Sequence, residues 1–244
     1  MQKCTHYQEF GKGEILVLLP SNWLTSRSYQ SIAQKLAASY RVIVPDLYRG
    51  LSRYKNNALT TNDYTKKLHD FLLSLEVRNY YLIGISFSGL LASEYLYQYP
   101  SELKKVMLVS TITPILSSRR KRLTLFDGFI GYIKLFFHNI LSWKGVKVNL
   151  LWLFDGAFNC FIKHPRQFFL DALIATNKLG DLESKIPVPT KILIAKKDEF
   201  IPYKTFVNIK ETHNFEVETI DGYHAWFFLN EKLLVEKVFD FFTK

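Results

Sequence analysis

The chain has 244 residues, 48% of them hydrophobic and 22% charged, which fits one large globular domain and excludes disorder, collagen and coiled coil. Its net charge of +10 makes nucleic acid, anionic lipid and acidic protein partners to be checked, and its 2 cysteines, Cys4 and Cys160, are too few for a disulfide scaffold or a zinc cluster. Aromatic residues reach 16%, no apolar run has the length of a membrane span, and residues 1–6 lack the apolar stretch of a signal peptide, so the expectation is a cytoplasmic protein with much ring surface to bury.

In chain order, 14–20 is a continuous apolar run ended by proline, as in a buried strand, and 28–38 carries Ile32, Leu36, Ala33 and Ala37 at helical spacing. A second apolar run, 41–46, leads to a helix over 62–75 with Tyr64, Leu68, Phe71, Leu72 and Leu75 on one face. Strands over 79–84 and 103–110 flank a helix that Pro100 stops. A fifth strand follows at 191–195, an alternating sixth at 215–220, and a last helix at 231–242. Buried strands alternating with helices predict a doubly wound, mostly parallel α/β sheet.

Residues 115–185 break that rhythm. They hold no clear strand, and their Phe, Trp, Leu and Ile residues recur at helical intervals. This segment is read as a helical cap over a core made of 1–114 and 186–244, with Pro187 and Pro189 marking the return. Between 116 and 185 stand eleven Lys or Arg against five Asp or Glu, so more than half of the excess positive charge lies in the cap. The contiguous Arg119, Arg120, Lys121 and Arg122 form a solvated surface or a docking face for something acidic. No nucleic-acid-binding motif accompanies them.

The sharpest chemical signal is Gly84-Ile85-Ser86-Phe87-Ser88-Gly89 between a predicted strand and a predicted helix. A serine on so tight a turn projects its hydroxyl above the sheet, and small neighbours let the backbone bend. The helix that follows aims its N-terminal amides at the same spot. A serine hydroxyl needs a base, usually an imidazole oriented by a carboxylate. His224 sits in the loop after the last strand, and Asp198 in the loop after the strand before it, with Glu199 an alternative acid. Loops at the carboxyl ends of parallel strands converge on one edge, so Ser86, Asp198 and His224 are expected to meet. The other histidines, His6, His69, His138, His164 and His213, lack the spacing of metal ligands, and no metal site is expected. Asp46 is read as a loop-stabilising residue.

With these motifs the chain resembles the α/β-hydrolase superfamily over essentially its whole length. The resemblance is carried by Val44-Pro45-Asp46-Leu47-Tyr48-Arg49-Gly50, the 84–89 turn, the Asp198 loop with Ile201-Pro202, and Gly222-Tyr223-His224. Locally it is most similar to small capped bacterial carboxylesterases, including the pimeloyl-acyl-carrier-protein methyl ester esterases. It implies an α/β-hydrolase fold with a cap inserted before the acid-bearing strand. It also implies hydrolysis of short-to-medium acyl esters through a Ser86–His224–Asp198 triad, without metal or organic cofactor. A serine nucleophile speaks against epoxide hydrolases and haloalkane dehalogenases, which use aspartate there. Where the family has His-Gly after the first strand, this chain has Pro20-Ser21-Asn22-Trp23-Leu24. The oxyanion amides are expected from Phe87 and from Asn22 or Trp23. Trp143, Trp152, Phe154 and Phe158 could line an acyl pocket, although helix packing explains them equally well. A thioesterase or acyltransferase, with an acidic acyl-carrier protein at the basic cap, and a non-catalytic binding protein of the same fold are the other readings.

Overall fold

The computed structural model describes residues 6–47, 60–111, 124–176, 186–201, 203 and 215–243. The predicted strands form β2 (Glu14–Leu19), β3 (Tyr40–Pro45), β4 (Tyr80–Ile85), β5 (Leu103–Val109), β6 (Thr190–Ala195) and β7 (Phe215–Ile220). A further strand, β1 (Tyr7–Phe10), precedes them; it pairs antiparallel with β3 at the sheet's edge, and four half-exposed residues carry too little pattern to be read from sequence. The sheet order is β1-β3-β2-β4-β5-β6-β7, with every pair after the first parallel.

All six residues of β4 are buried, and so is most of β2 and β5, because helices cover both faces of the sheet. That double burial is why these strands read as continuous apolar runs rather than alternations. On one face, α2 (Thr61–Ser74) and α3 (Phe87–Gln98) pack Leu68, Phe71, Leu91 and Tyr95 against the sheet. On the other, α1 (Gln30–Leu36) and the C-terminal helix supply Ile32, Leu36, Leu234 and Val238. From β2 the chain runs outward to β3 and returns to β4 on the far side of β2. The loops after β2 and β4 therefore diverge and leave a crevice at the carboxyl edge of the sheet.

Between β5 and β6 come the helices of the insertion: α4 (Leu125–Asn139), α5 (Trp143–Leu151), α6 (Asn159–Lys163) and α7 (Pro165–Thr176), with a π-helical stretch, Trp152–Phe158, joining α5 to α6. Thr124 and Asp127 cap α4 reciprocally, as Thr60 and Asp63 cap α2, each pair satisfying two otherwise orphaned amides. Two carboxylates anchor the insertion to the core. Asp155 accepts hydrogen bonds from Thr25 N (3.0 Å), Thr25 Oγ1 (2.6 Å) and Ser28 Oγ. Asp171 accepts from Tyr64 Oη of α2 at 2.7 Å. The run 119–122 lies outside the described residues. After β7, a short helix α8 (Trp226–Leu229) precedes α9 (Glu231–Phe242). No helix among the described residues is long and apolar enough to cross a membrane.

Candidate active site

Ser86 stands between β4 and α3 with φ 56° and ψ −120°, a conformation that costs a non-glycine residue about 1–3 kcal/mol and persists only where its surroundings enforce it. They do so here. Ser86 N donates to Val109 O at 2.8 Å and Thr111 Oγ1 donates to Ser86 O at 2.6 Å. The glycines permit the turn by close approach: a Cβ on Gly84 would lie 2.7 Å from Ser88 O, and one on Gly89 2.4 Å from Thr111 Cβ. Ser88, which stands where the pattern usually has glycine, is more than small. Its Oγ accepts from Ile85 N at 2.8 Å and lies 2.8 Å from Leu19 O, to which it donates, tying the turn to the end of β2. Ser88→Ala should remove the hydroxyl's bonds to both backbone groups, which still face each other across β2 and β4, and lower stability by about 1 kcal/mol in a denaturant titration, whereas a residue needed only for its size would tolerate alanine.

Ser86 Oγ lies 2.9 Å from His224 Nε2, and His224 Nδ1 lies 2.8 Å from Asp198 Oδ2. The Asp198 side chain is fully buried, and its other oxygen accepts from the amides of Phe200 (2.9 Å) and Ile201 (3.0 Å). The loops bearing the two residues are bonded together, with Lys196 N on Ile220 O (2.9 Å) and Lys197 N on Gly222 O (3.0 Å). Burial opposes protonation of His224, but the carboxylates of Asp198 and then Glu199 outweigh it and raise the imidazole above its ordinary 6.5.

Glu199 takes a different place from Asp198. Its carboxylate accepts from the backbone N–H of His224 at 2.8 Å, and its other oxygen lies 2.7 Å from His138 Nδ1 on α4. His138 also stacks on Tyr223, ring centroids 4.1 Å apart. The alternative acid thus holds the main chain of the histidine loop and joins it to α4. The adjacency of Glu199 to Asp198 was visible in sequence; a partner 61 residues away was not.

The turn Ser21–Leu24, closed by Leu24 N on Ser21 O at 3.2 Å, brings Asn22 and Trp23 to the cavity beside Ser86 and Phe87. It lacks glycine, and Trp23 takes φ 61°. Packing sustains that left-handed backbone: the indole stacks on Phe168 at 4.1 Å and on Tyr132 at 5.5 Å. Tyr29 Oη binds both Ser21 N (3.0 Å) and Ser21 Oγ (2.9 Å), and Asp46 accepts from Ser26 N at 2.5 Å, the loop-stabilising role expected of it. Tyr132 Oη bonds Asn22, while burial pushes its phenol pKa up and keeps it neutral.

Ser86 and His224 open into a cavity of about 420 Å³ under the insertion, walled by Leu90, Leu125, Phe129, Tyr132, Phe168 and Ala172. The four rings expected there stand elsewhere. Trp143, Phe154 and Phe158 are exposed, and Trp152 packs behind Trp23 and Tyr132 rather than in the wall. The helices that cover the site are α4 and α7, and helical periodicity cannot tell which helix of an insertion will face it. Among the described residues no group of three or more His, Cys, Asp and Glu side chains is placed to hold a metal ion.

The sequence matches the α/β-hydrolase family over residues 16–237, and the chain belongs to that family. Its fold is similar to that of a bromoperoxidase from Bacillus anthracis, at TM-score 0.75 and 22% identity, covering 98% of this chain and 95% of that one. An esterase from Exiguobacterium antarcticum gives 0.71 and 18%, with coverages of 98% and 95%. A Bacillus megaterium epoxide hydrolase gives 0.72 and 15%, with coverages of 98% and 96%. At these identities the likeness is one of fold.

Proposed function

We propose that this family member hydrolyses carboxylic esters with apolar, short-to-medium acyl groups through an acyl-enzyme on Ser86. The observation that carries the reading is the unbroken chain from Ser86 Oγ through His224 to Asp198, at 2.9 and 2.8 Å, at the wall of an apolar cavity. Ser86 Oγ attacks the ester carbonyl while its proton passes to His224 Nε2. The tetrahedral oxyanion is met by the amide of Phe87 and by one from the Ser21–Leu24 turn. Nε2 then returns the proton to the leaving alkoxide, and the C–O bond breaks. Water, deprotonated by the same imidazole, releases the acid and frees Ser86. Asp198 keeps Nδ1 protonated throughout and stabilises the imidazolium formed at each transfer.

The family places several reactions on this fold, so the nucleophile and the acceptor have to be tested directly. A fluorophosphonate adduct located on Ser86 by mass spectrometry, with turnover of p-nitrophenyl esters between C2 and C12, supports the reading. Absence of both would overturn it. Acyl-thioesters of matched chain length separate ester from thioester preference.

The cavity wall supplies a second test. Ala172→Phe should fill space beside Phe168 and lower the ratio of C8 to C4 turnover by roughly tenfold, the scale on which a few methylenes are discriminated. Phe158→Ala, outside the wall, should leave the ratio unchanged. The reverse pattern would move the acyl site to the π-helical stretch.

A further inference from the structure

Among the described residues, every large apolar side chain that is substantially exposed lies in the insertion, between Leu125 and Leu173, and none lies on the core. Helix α4 shows the pattern most clearly. Its buried face carries Gly131, Leu135 and Asn139, yet its outer face repeats Phe126, Phe129, Ile133, Phe136 and Ile140 at intervals of three and four. A surface helix of a soluble protein is polar on that side; a helix apolar all round is covered by something. The hairpin joining α4 to α5 goes furthest, with Leu141 79% and Trp143 72% exposed.

Apart from Asp127, which is exposed and caps the start of α4, the charges interleaved with these rings are cationic. Lys134, Lys144, Lys147, Lys163 and Arg166 belong to α4–α7, whereas Asp155 and Asp171 turn inward to Thr25, Ser28 and Tyr64. Lys144 and Lys147 share with Lys35 and Lys232 a cavity of about 480 Å³ that Glu231 also lines, its carboxylate paired with Lys35. The Lys147 ammonium sits 5.8 Å from the Trp143 ring centroid. Leu125 and Phe129 are both exposed and part of the 420 Å³ cavity's wall, so that cavity reaches the apolar face.

We propose that the insertion docks through this face onto a bilayer surface containing anionic lipid, with Leu141 and the outer rings of α4 entering the headgroup–acyl boundary and the α5 lysines meeting lipid phosphates. Aromatic and aliphatic side chains flanked by lysine are what an interfacial helix requires: area to bury, with cations at the anionic headgroups. A second copy of the chain would set one cationic face against another. An acidic protein would satisfy the lysines but leave most of the rings in water. The docking does not depend on the reaction proposed for Ser86, and vesicle binding tests it without reference to turnover.

The full chain should float with phosphatidylcholine–phosphatidylglycerol vesicles in a density gradient, and more weakly with phosphatidylcholine alone. Phe137 is 58% exposed beside Phe136 on α4, and Phe137→Ser with Leu141→Ser should weaken vesicle binding by roughly tenfold or more on both compositions. Lys144→Gln with Lys147→Gln should weaken binding to the anionic vesicles only, and raising NaCl from about 50 to about 500 mM should mimic that loss. Both double variants should keep the wild-type melting temperature and turnover of a soluble nitrophenyl ester. Trp143 emission should shift to the blue on vesicle addition, a change lost in Trp143→Phe. No partition into either vesicle overturns the proposal. So does binding that salt abolishes and Phe137→Ser/Leu141→Ser leaves intact, which would be adhesion by charge alone. A concentration-dependent dimer dissolved by Phe137→Ser/Leu141→Ser, with vesicles inert, would assign the face to a second copy and overturn it as well. Binding to an acidic carrier protein that vesicles do not displace would do the same.

Discussion

Ser86→Ala and His224→Ala should each lower kcat for p-nitrophenyl butyrate by roughly 10³-fold or more, and the double variant should lose little beyond the worse single one. The expectation follows from the 2.9 Å contact between Oγ and Nε2: without the base the hydroxyl is a weak nucleophile, and without the hydroxyl the base has no proton to take. Neither change removes the amide of Phe87 or the cavity, so KM should move far less than kcat. A stability measurement adds a second readout. Alanine at 86 inherits the φ 56° backbone and relieves none of its cost, while Ser86→Gly should be more stable than Ser86→Ala because glycine occupies that region freely. Multiplicative losses in the double variant would mean that the two residues act separately, and the assignment of a nucleophile and its base would fall.

The core of the fold and the three hydrogen-bonded residues were legible because each rests on a strong local signal. Runs such as 14–19 and 80–85 are apolar throughout because both faces of β2 and β4 are covered, and Gly84 and Gly89 are required wherever a helix must start that close to a strand. Asp198 and His224 could be placed because carboxyl-end loops of a parallel sheet share one edge. What escaped depends on long-range geometry. β1 is too short to show a period, and α8 is a single turn directly ahead of α9. Ser88 announced itself only as small, since its bond to Leu19 O crosses 69 residues. The glycine-free Ser21–Leu24 turn and the residues just after it are held by Tyr29, Asp46, Tyr132 and Asp155, drawn from four different places in the chain. The rings offered for the cavity stand outside its wall for the same reason: Phe129 and Trp143 are equally aromatic, and only packing decides that α4 lies over Ser86 while the α5 end points outward.

Asp198→Asn should be nearly as damaging as loss of the base, lowering kcat by roughly 10³–10⁴-fold, because of which oxygen is already spoken for. Oδ1 accepts from the amides of Phe200 and Ile201, so an asparagine will keep its carbonyl there and turn its amide NH₂ toward His224 Nδ1. Facing a donor, Nδ1 must become the acceptor, the proton moves to Nε2, and the nitrogen that should take the Ser86 proton already carries one. The pH profile carries the same logic. Burial alone would hold His224 below its ordinary 6.5, and the charges of Asp198 and Glu199 reverse that and raise it. Since the neutral imidazole is the base, wild-type kcat/KM should fall as pH drops through a midpoint above 6.5. Removing the Asp198 charge leaves burial unopposed by its main counterweight, so the residual activity of Asp198→Asn should titrate at lower pH than wild type. Glu199→Gln removes the smaller charge and still offers an oxygen to the His224 backbone N–H, so its midpoint should shift down less and its plateau should stay within about tenfold of wild type. An unmoved midpoint in Asp198→Asn, or a collapse of Glu199→Gln below it, would transfer the orienting role from Asp198 to Glu199.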